Sequence, residues 1–283
     1  MNMEIDCVTC FMKQAVKAAK LSTDDFKIQL KAVKQAARLI GDLDPYKTPP
    51  ETATGVFKTV IEETNQKDAF RELKRASNRK VKKLIPRLEK IVQKSPSQFR
   101  TALNLALCGN IIDYGILEDF NVEDLIKEEL KKNLDDSKIK KFKSKILRAD
   151  STTFLADNAG EIGFDGIFLE QLKKLNPGLK ITVFVNSAPI INDVTSEDVE
   201  FFGLDRKFEI VEAPNTVGLD YRNLPPELKK IMDESDFIIA KGQANYEILT
   251  DTRLKNIVYL LRAKCPVVAR STGVKEGDGV IKL

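Results

Sequence analysis

From residue 150 onward the chain changes its hydrophobic period, and that change constrains the fold more than any other feature of its 283 residues. Short apolar runs at 152–156, 180–185, 207–211, 236–240, 256–260 and 266–269 alternate with stretches of helical length. Such alternation is the signature of a mainly parallel sheet with helices on both faces, because parallel neighbours need a crossover between them. Residues ahead of this point read as helices alone. From Thr23 the positions Phe26, Leu30, Val33, Ala37 and Ile40 fall on one helical stripe, which Gly41 is placed to end. Pro49 and Pro50 punctuate the chain and start another helix. Residues 67–94 carry a third, with Val81, Leu84, Ile85, Leu88, Ile91 and Val92 as its apolar stripe and a kink at Pro86. A helix capped by Ser97 runs through Leu103, Leu107 and Ile111; two more follow, one capped near Asn121 and one over 136–147. The expected fold class is α/β: an N-terminal all-α helical domain over residues 1–100, then a Rossmann-like three-layer α/β/α domain over 101–283 with a mainly parallel sheet. The helices of 101–148 bridge the two.

Composition narrows the chemistry. Forty-six basic and forty-two acidic side chains leave a net charge of only +4, so neither a nucleic acid nor an anionic membrane is implied as partner. The basic run Arg71, Lys74, Arg75, Arg79, Lys80, Lys82 and Lys83 has no interleaved aromatic side chains and reads as a solvated helix face. No apolar stretch reaches the span of a membrane helix, and Met1-Asn2-Met3-Glu4 lacks the plan of a secretion signal, so the expected location is the cytoplasm. Histidine is absent altogether, which removes the commonest general base and the commonest ligand for zinc and copper. Any bound metal must then sit on oxygens or thiolates. Among the four cysteines, Cys7 and Cys10 form a CxxC pair that reads as a helix-start pair, a redox pair, or half of a zinc site completed by Cys108 and Cys265.

In parallel sheets ligands bind beyond the carboxyl ends of the strands, near the point where strand order reverses. The first expected strand is followed by Asp157-Asn158-Ala-Gly-Glu161, the second by Asn186-Ser187-Ala-Pro-Ile-Ile-Asn192-Asp193. The third leads to Ala213-Pro-Asn215-Thr-Val-Gly-Leu-Asp220, and the fourth to Lys241-Gly242-Gln243-Ala244-Asn245. One polar loop means little, since Asn and Asp favour turns, but four on one sheet edge point to a site. A nucleotide-binding corner would carry glycine where this chain has Asp157, whose charge repels a bare pyrophosphate. Asp157, Asn158 and Asp193 instead supply oxygen ligands suited to Mg²⁺ or Mn²⁺, with Co²⁺ and Ni²⁺ also accepted. Lys241 is expected to present a point charge to a phosphate beside the approachable backbone of Gly242. Glu161, Asn192 and Asn245 complete the candidate substrate contacts. Asp157, Asp193 and Lys241 are the candidate catalytic residues, with a water activated by the cation or Asp157 itself as nucleophile.

The segments Cys7-Val-Thr-Cys10-Phe11, Gly109-Asn-Ile-Ile-Asp113, Ala156-Asp-Asn-Ala-Gly-Glu161, Asn192-Asp193-Val-Thr195 and Lys241-Gly-Gln-Ala-Asn245 together resemble the DUF89 family, the damage-control phosphatases. The resemblance covers nearly the whole chain and implies a metal-dependent phosphatase acting on small phosphorylated metabolites, such as sugar phosphates or damaged cofactor intermediates. It implies metal ligation by Asp157, Asn158 and Asp193 and phosphate binding by Lys241. It also implies that Asn110 and Asp113, which share a helix face, line the substrate side. Two other readings compete: an S-adenosylmethionine-dependent carboxyl methyltransferase, suggested by the acidic turn after the first strand, and a non-enzymatic metal or redox protein built on the cysteines.

Overall fold

Where the sequence alternates, the structure, a computed structural model describing residues 1–109, 128 and 134–283, forms strands. These are β1 (Ser151–Leu155), β2 (Lys180–Asn186), β3 (Glu209–Ala213), β4 (Phe237–Lys241), β5 (Ile257–Arg262) and β6 (Gly279–Lys282). Helices α1 (Ile5–Ser22), α2 (Phe26–Gly41), α3 (Pro49–Thr64), α4 (Arg71–Lys94), α5 (Gln98–Gly109) and α6 (Asp136–Arg148) precede them. Between strands run α7 (Glu161–Leu175), α8 (Ser196–Phe202), α9 (Pro226–Glu234), α10 (Gly242–Leu249) and α11 (Pro266–Thr272). The helix expected near Asn121 lies outside the described residues.

Local chemistry accounts for the helix starts. The Asp25 carboxylate caps α2 by accepting from the Lys27 and Ile28 amides, and Thr48 and Glu51 form a capping box across Pro49 and Pro50 at the start of α3. At 266–269 the sequence expectation of a strand is overturned. The segment opens α11, with Pro266 in its first turn, Cys265 extended before it and Gly273 left-handed after it. Proline's fixed φ and missing N–H suit a helix start, and a four-residue apolar run has no period that separates strand from buried helix. The sixth strand is β6, which closes a turn at Gly277 and pairs antiparallel with β5.

Among the described residues the sheet has the order β3-β2-β1-β4-β5-β6. All pairs are parallel except β5 with β6. The chain enters at β1, winds outward to β3, then returns to place β4 on the other side of β1. That reversal opens a crevice between the carboxyl ends of β1 and β4. Alternation along the strands divides the core. Phe154, Phe237, Ile239, Val258 and Leu260 pack with Leu88, Leu103, Phe142 and Phe168 from α4, α5, α6 and α7. Leu155, Ile238, Ala240, Tyr259 and Leu261 pack on the opposite face with Met232, Tyr246 and Val268 from α9, α10 and α11. Each buried Val, Leu, Ile, Phe or Met among them contributes about 1.5–3 kcal/mol relative to exposure.

A third cluster joins α1, α2 and α3 through small residues: Ala15, Ala18 and Ala19 meet Ala32, Ala36, Val56 and Phe57. Ile190 and Val217, from the loops after β2 and β3, complete it. The helical layer is therefore seated on the loops at the carboxyl edge of the sheet, and the Val217 amide donates to Thr54 Oγ1 at 2.9 Å.

Candidate active site

The loops after β1 and β2 are stitched backbone to backbone before any side chain is considered. Val194 N donates to Asp157 O at 3.0 Å and Ala159 N to Asn192 O at 2.9 Å, with Asn158 and Asp193 bridged as in a sheet. Two of the three expected ligand positions come together in this way, and the third, Asp157, is adjacent to Asn158. Ile191, immediately ahead, sits at φ 44°, an unusual conformation for a β-branched residue and a sign that the surrounding contacts dictate this loop.

Side chains extend the cluster. Asn158 Nδ2 donates to Asp157 Oδ2 at 2.6 Å and to Glu161 Oε2 at 3.1 Å, while Asn186 Nδ2 donates to Asp193 Oδ2 at 3.1 Å. The Asp157 carboxyl lies against Gly242, which starts α10 at φ +78°; a Cβ there would stand 2.0 Å from Asp157 Cγ. Burial holds the Asp157 carboxyl well above the usual carboxylate range; the Glu161 carboxylate pushes it further up, Lys264 opposes this, and Asp193 adds to it. Lys264, exposed beyond β5, is a residue that strand-end reading passed over, because it lies two residues past the end of that strand.

Lys241 is not where a phosphate contact was expected. It is 0% exposed, and its ammonium donates to Ala106 O at 2.8 Å, Glu161 Oε1 at 2.5 Å and Asp165 Oδ1 at 2.5 Å, using all three protons inside the core. Burial works against its charge, but Asp165 and Glu161 outweigh that and raise its pKa. The physical reason is strand parity: Lys241 follows Phe237 and Ile239 onto the sheet face covered by α5 and α7. It acts on the site from behind, holding Glu161, which in turn accepts from Asn158.

Asn245 also serves the backbone. Its Nδ2 donates to Lys241 O at 2.8 Å and Ala156 O at 3.3 Å, and its Oδ1 accepts from the Leu219 amide at 2.8 Å, so it ties three loops together rather than turning its amide to substrate. It still lines the cleft at the sheet edge together with Ala156, Asp157, Asn186, Asp193 and Gly218. Asn192 is buried beside Asp193 and contributes its carbonyl to the stitching. Asn110 and Asp113 lie outside the described residues. Gly109, the last residue of α5, abuts the site: a Cβ on it would meet Glu161 Cγ at 2.9 Å.

The donor chemistry fits a hard divalent cation. Asp157 and Asp193 with the Asn158 amide offer oxygens from two adjoining loops, the donor type that Mg²⁺ and Mn²⁺ prefer. Among the described residues no group of three or more Cys, Asp or Glu side chains stands in metal-holding geometry, so the candidate set is two carboxylates and one amide. No disulfide joins any two of the four cysteines. Cys265 comes within electrostatic reach of Cys7 and Cys10, whereas Cys108 is buried in the cluster around α5. Burial raises the Cys7 and Cys10 thiols above their usual value.

Comparison with known proteins follows the same outline. The sequence matches the damage-control phosphatase ARMT1-like domain over residues 3–280. It is 33% identical over 284 residues to a damage-control phosphatase of Archaeoglobus fulgidus, spanning 98% of this chain and 97% of that protein. A damage-control phosphatase of Pyrococcus horikoshii is 30% identical over 285 residues, with 98% and 96% covered. The crystal structure of a DUF89 family protein from Pyrococcus horikoshii superposes with a TM-score of 0.88 at 30% identity, over 99% of this chain and 98% of that one.

Proposed function

The chain belongs to the damage-control phosphatase family, and we propose that it is a metal-dependent phosphatase hydrolysing small phosphorylated metabolites, sugar phosphates or damaged phospho-cofactor intermediates. The observation that carries this reading is the meeting of Asp157, Asn158 and Asp193 at the reversal point of the sheet. These three residues would hold the cation, Mg²⁺ or Mn²⁺ by donor type with Co²⁺ or Ni²⁺ as alternatives; when bound, it would polarise a phosphoryl group and favour attack on it by water.

The chain's own residues supply position and charge. Asn158, through the two hydrogen bonds its side-chain amide donates, bridges the Asp157 and Glu161 carboxylates and orients both. Gly242 leaves the space that Asp157 occupies. Lys264 acts on Asp157 from the exposed side, which suits it to receive the peripheral oxygens of a phosphate, the role expected of Lys241. The helical layer on Ile190 and Val217 closes the cleft from above, where substrate size would be selected.

Phosphate release from a panel of sugar phosphates and an aryl phosphate tests the reading, using metal-stripped protein with each cation added back. Asp157→Ala is expected to lower cation-dependent release by at least about 100-fold. Full activity in that variant, or release that ignores the cation, would sink it.

A further inference from the structure

We propose that Asn78, on α4 and outside the cation cluster, is a positioning residue that sets the separation of the two cation-binding loops through Asp198. This inference rests on the phosphatase reading of the Asp157–Asn158–Asp193 cluster. Asn78 is buried, and its Oδ1 accepts from the Gly160 amide at 2.6 Å while its Nδ2 donates to Asp198 Oδ1 at 2.7 Å. Asp198 Oδ2 accepts from the Thr195 amide at 2.9 Å and from Thr195 Oγ1 at 3.0 Å. Gly160 ends the loop that begins at Asp157, and Thr195 ends the loop that carries Asp193. One side-chain amide and one carboxylate thus join the far ends of two loops whose near ends are joined by Val194 N to Asp157 O. The result is a closed ring of hydrogen bonds that carries Asp157 and Asn158, with Asp193 next to it in the chain.

The polarity of this relay is dictated. A backbone N–H only donates, so Gly160 must face an acceptor, and the other end of the Asn78 amide must then be its NH₂. Asp198 likewise faces donors on both oxygens. Contacts around the relay hold α4 in register: a Cβ on Gly160 would come within 2.1 Å of Ser77 Oγ, Arg75 pairs with Glu197 at 3.0 Å, and Lys82 Nζ donates to Phe201 O at 2.9 Å. Gly160 has φ +77°, so it accepts this close approach where another residue would be strained.

The dictated polarity supplies its own test. In Asn78→Asp two carboxylates face one another across the relay. In Asp198→Asn two amide NH₂ groups meet, because the introduced amide must keep its oxygen toward the Thr195 N–H, and turning Asn78 over only moves the conflict to Gly160. In the double variant N78D/D198N every bond is restored, with donor and acceptor exchanged only between residues 78 and 198, while the Gly160 and Thr195 groups donate as before. The full-length protein and the three variants are compared by Mn²⁺ calorimetry and by kcat and KM for phosphate release, at a temperature where circular dichroism shows all four folded.

Each single variant is expected to weaken Mn²⁺ binding by about 10–100-fold, the range typical of groups that orient metal ligands, and to lower kcat more than it raises KM. The double variant is expected to recover to within a few-fold of the parent. Single variants that lose thermal stability but keep Mn²⁺ affinity would show a purely structural tie and overturn the proposal, as would a double variant no better than the singles. In either case the parent's own Mn²⁺ binding and activity leave the phosphatase reading standing; a parent that binds none of Mn²⁺, Mg²⁺, Co²⁺ and Ni²⁺ and releases no phosphate with any of them overturns both.

Discussion

Gly242 shows how much one residue's missing side chain decides. At φ +78° it adopts a conformation that other residues reach at a cost of about 1–2 kcal/mol, and the space a Cβ would fill is taken by the Asp157 carboxyl. Gly242→Ala is therefore expected to displace Asp157, lowering stability by at least about 1 kcal/mol and depressing cation-dependent phosphate release. Urea denaturation beside the phosphate assay checks this, and an alanine variant with parental activity would show that Asp157 has freedom to move. The same scale holds the clearest contrast between expectation and structure. The meeting of Asp157, Asn158 and Asp193 was legible because a carboxylate or amide at a strand end advertises itself in sequence. Lys241 was legible as a position but not as a direction, although its parity with Phe237 and Ile239 would have pointed it into the core once that face was known. Asn78 lies where the α4 stripe read from Val81 continues back toward the start of the helix: Lys74, Ser77 and Asn78 are buried there, so Lys74, expected on a solvated face, turns inward and pairs with Asp68 at 3.0 Å.

At the scale of elements, α5, α7 and β4 meet on the Lys241 ammonium. Glu161 and Asp165 come from the first two turns of α7, Ala106 from α5, and the lysine from the end of β4. Burial, opposed by Lys241 and reinforced by Glu161, pushes the Asp165 carboxyl up to about 7. Removing the ammonium leaves two buried carboxyl groups without the charge that lies between them, which costs far more than the intact cluster contributes. Lys241→Met is expected to destabilise the protein by about 3–5 kcal/mol, measured as a lower denaturant midpoint. A loss below about 1 kcal/mol would mean that the two carboxyls readily share a proton in place of the lysine. The segment 266–269 belongs to this scale as well. Its four apolar residues fit a strand by sequence and form the first turn of α11, since proline at a helix start and a short apolar run are each ambiguous until flanking contacts are known.

Across the whole molecule, the amino terminus is returned to the sheet edge. The Met1 ammonium pairs with Asp251 at 2.6 Å and donates to Glu247 O at 2.7 Å, so α1 is fastened to α10. Burial raises the Glu247 carboxyl to about 7, against the opposing hydrogen bond from Gln243 and the charge of the amino terminus. A carboxyl with a raised folded-state pKa binds its proton more tightly when folded than when unfolded. Its contribution to stability is present in full below the unfolded value near 4.5 and is lost as pH rises through about 7. The stability of the protein is thus expected to fall between about pH 5 and 8, as Asp165 adds to it in the same direction, and Glu247→Gln is expected to flatten part of that fall. Urea midpoints of both proteins at the two ends of the range decide it; parallel curves would remove Glu247 as a cause.

By itself the sequence determined the succession of helices and then alternating strands and helices, the polar loops at the carboxyl edge, and the oxygen-donor pair after the first strand. Hydrophobic period and turn chemistry belong to neighbouring residues, and a reader of neighbours recovers them. Only the tertiary structure decided that Lys241 turns inward, that Lys264 acts on Asp157, that Cys265 rather than Cys108 approaches the CxxC pair, and that Asn78 ties together two loops. Each depends on which face of an element meets which neighbour across separations such as the 82 residues between Asn78 and Gly160, and that is settled by packing the layers together.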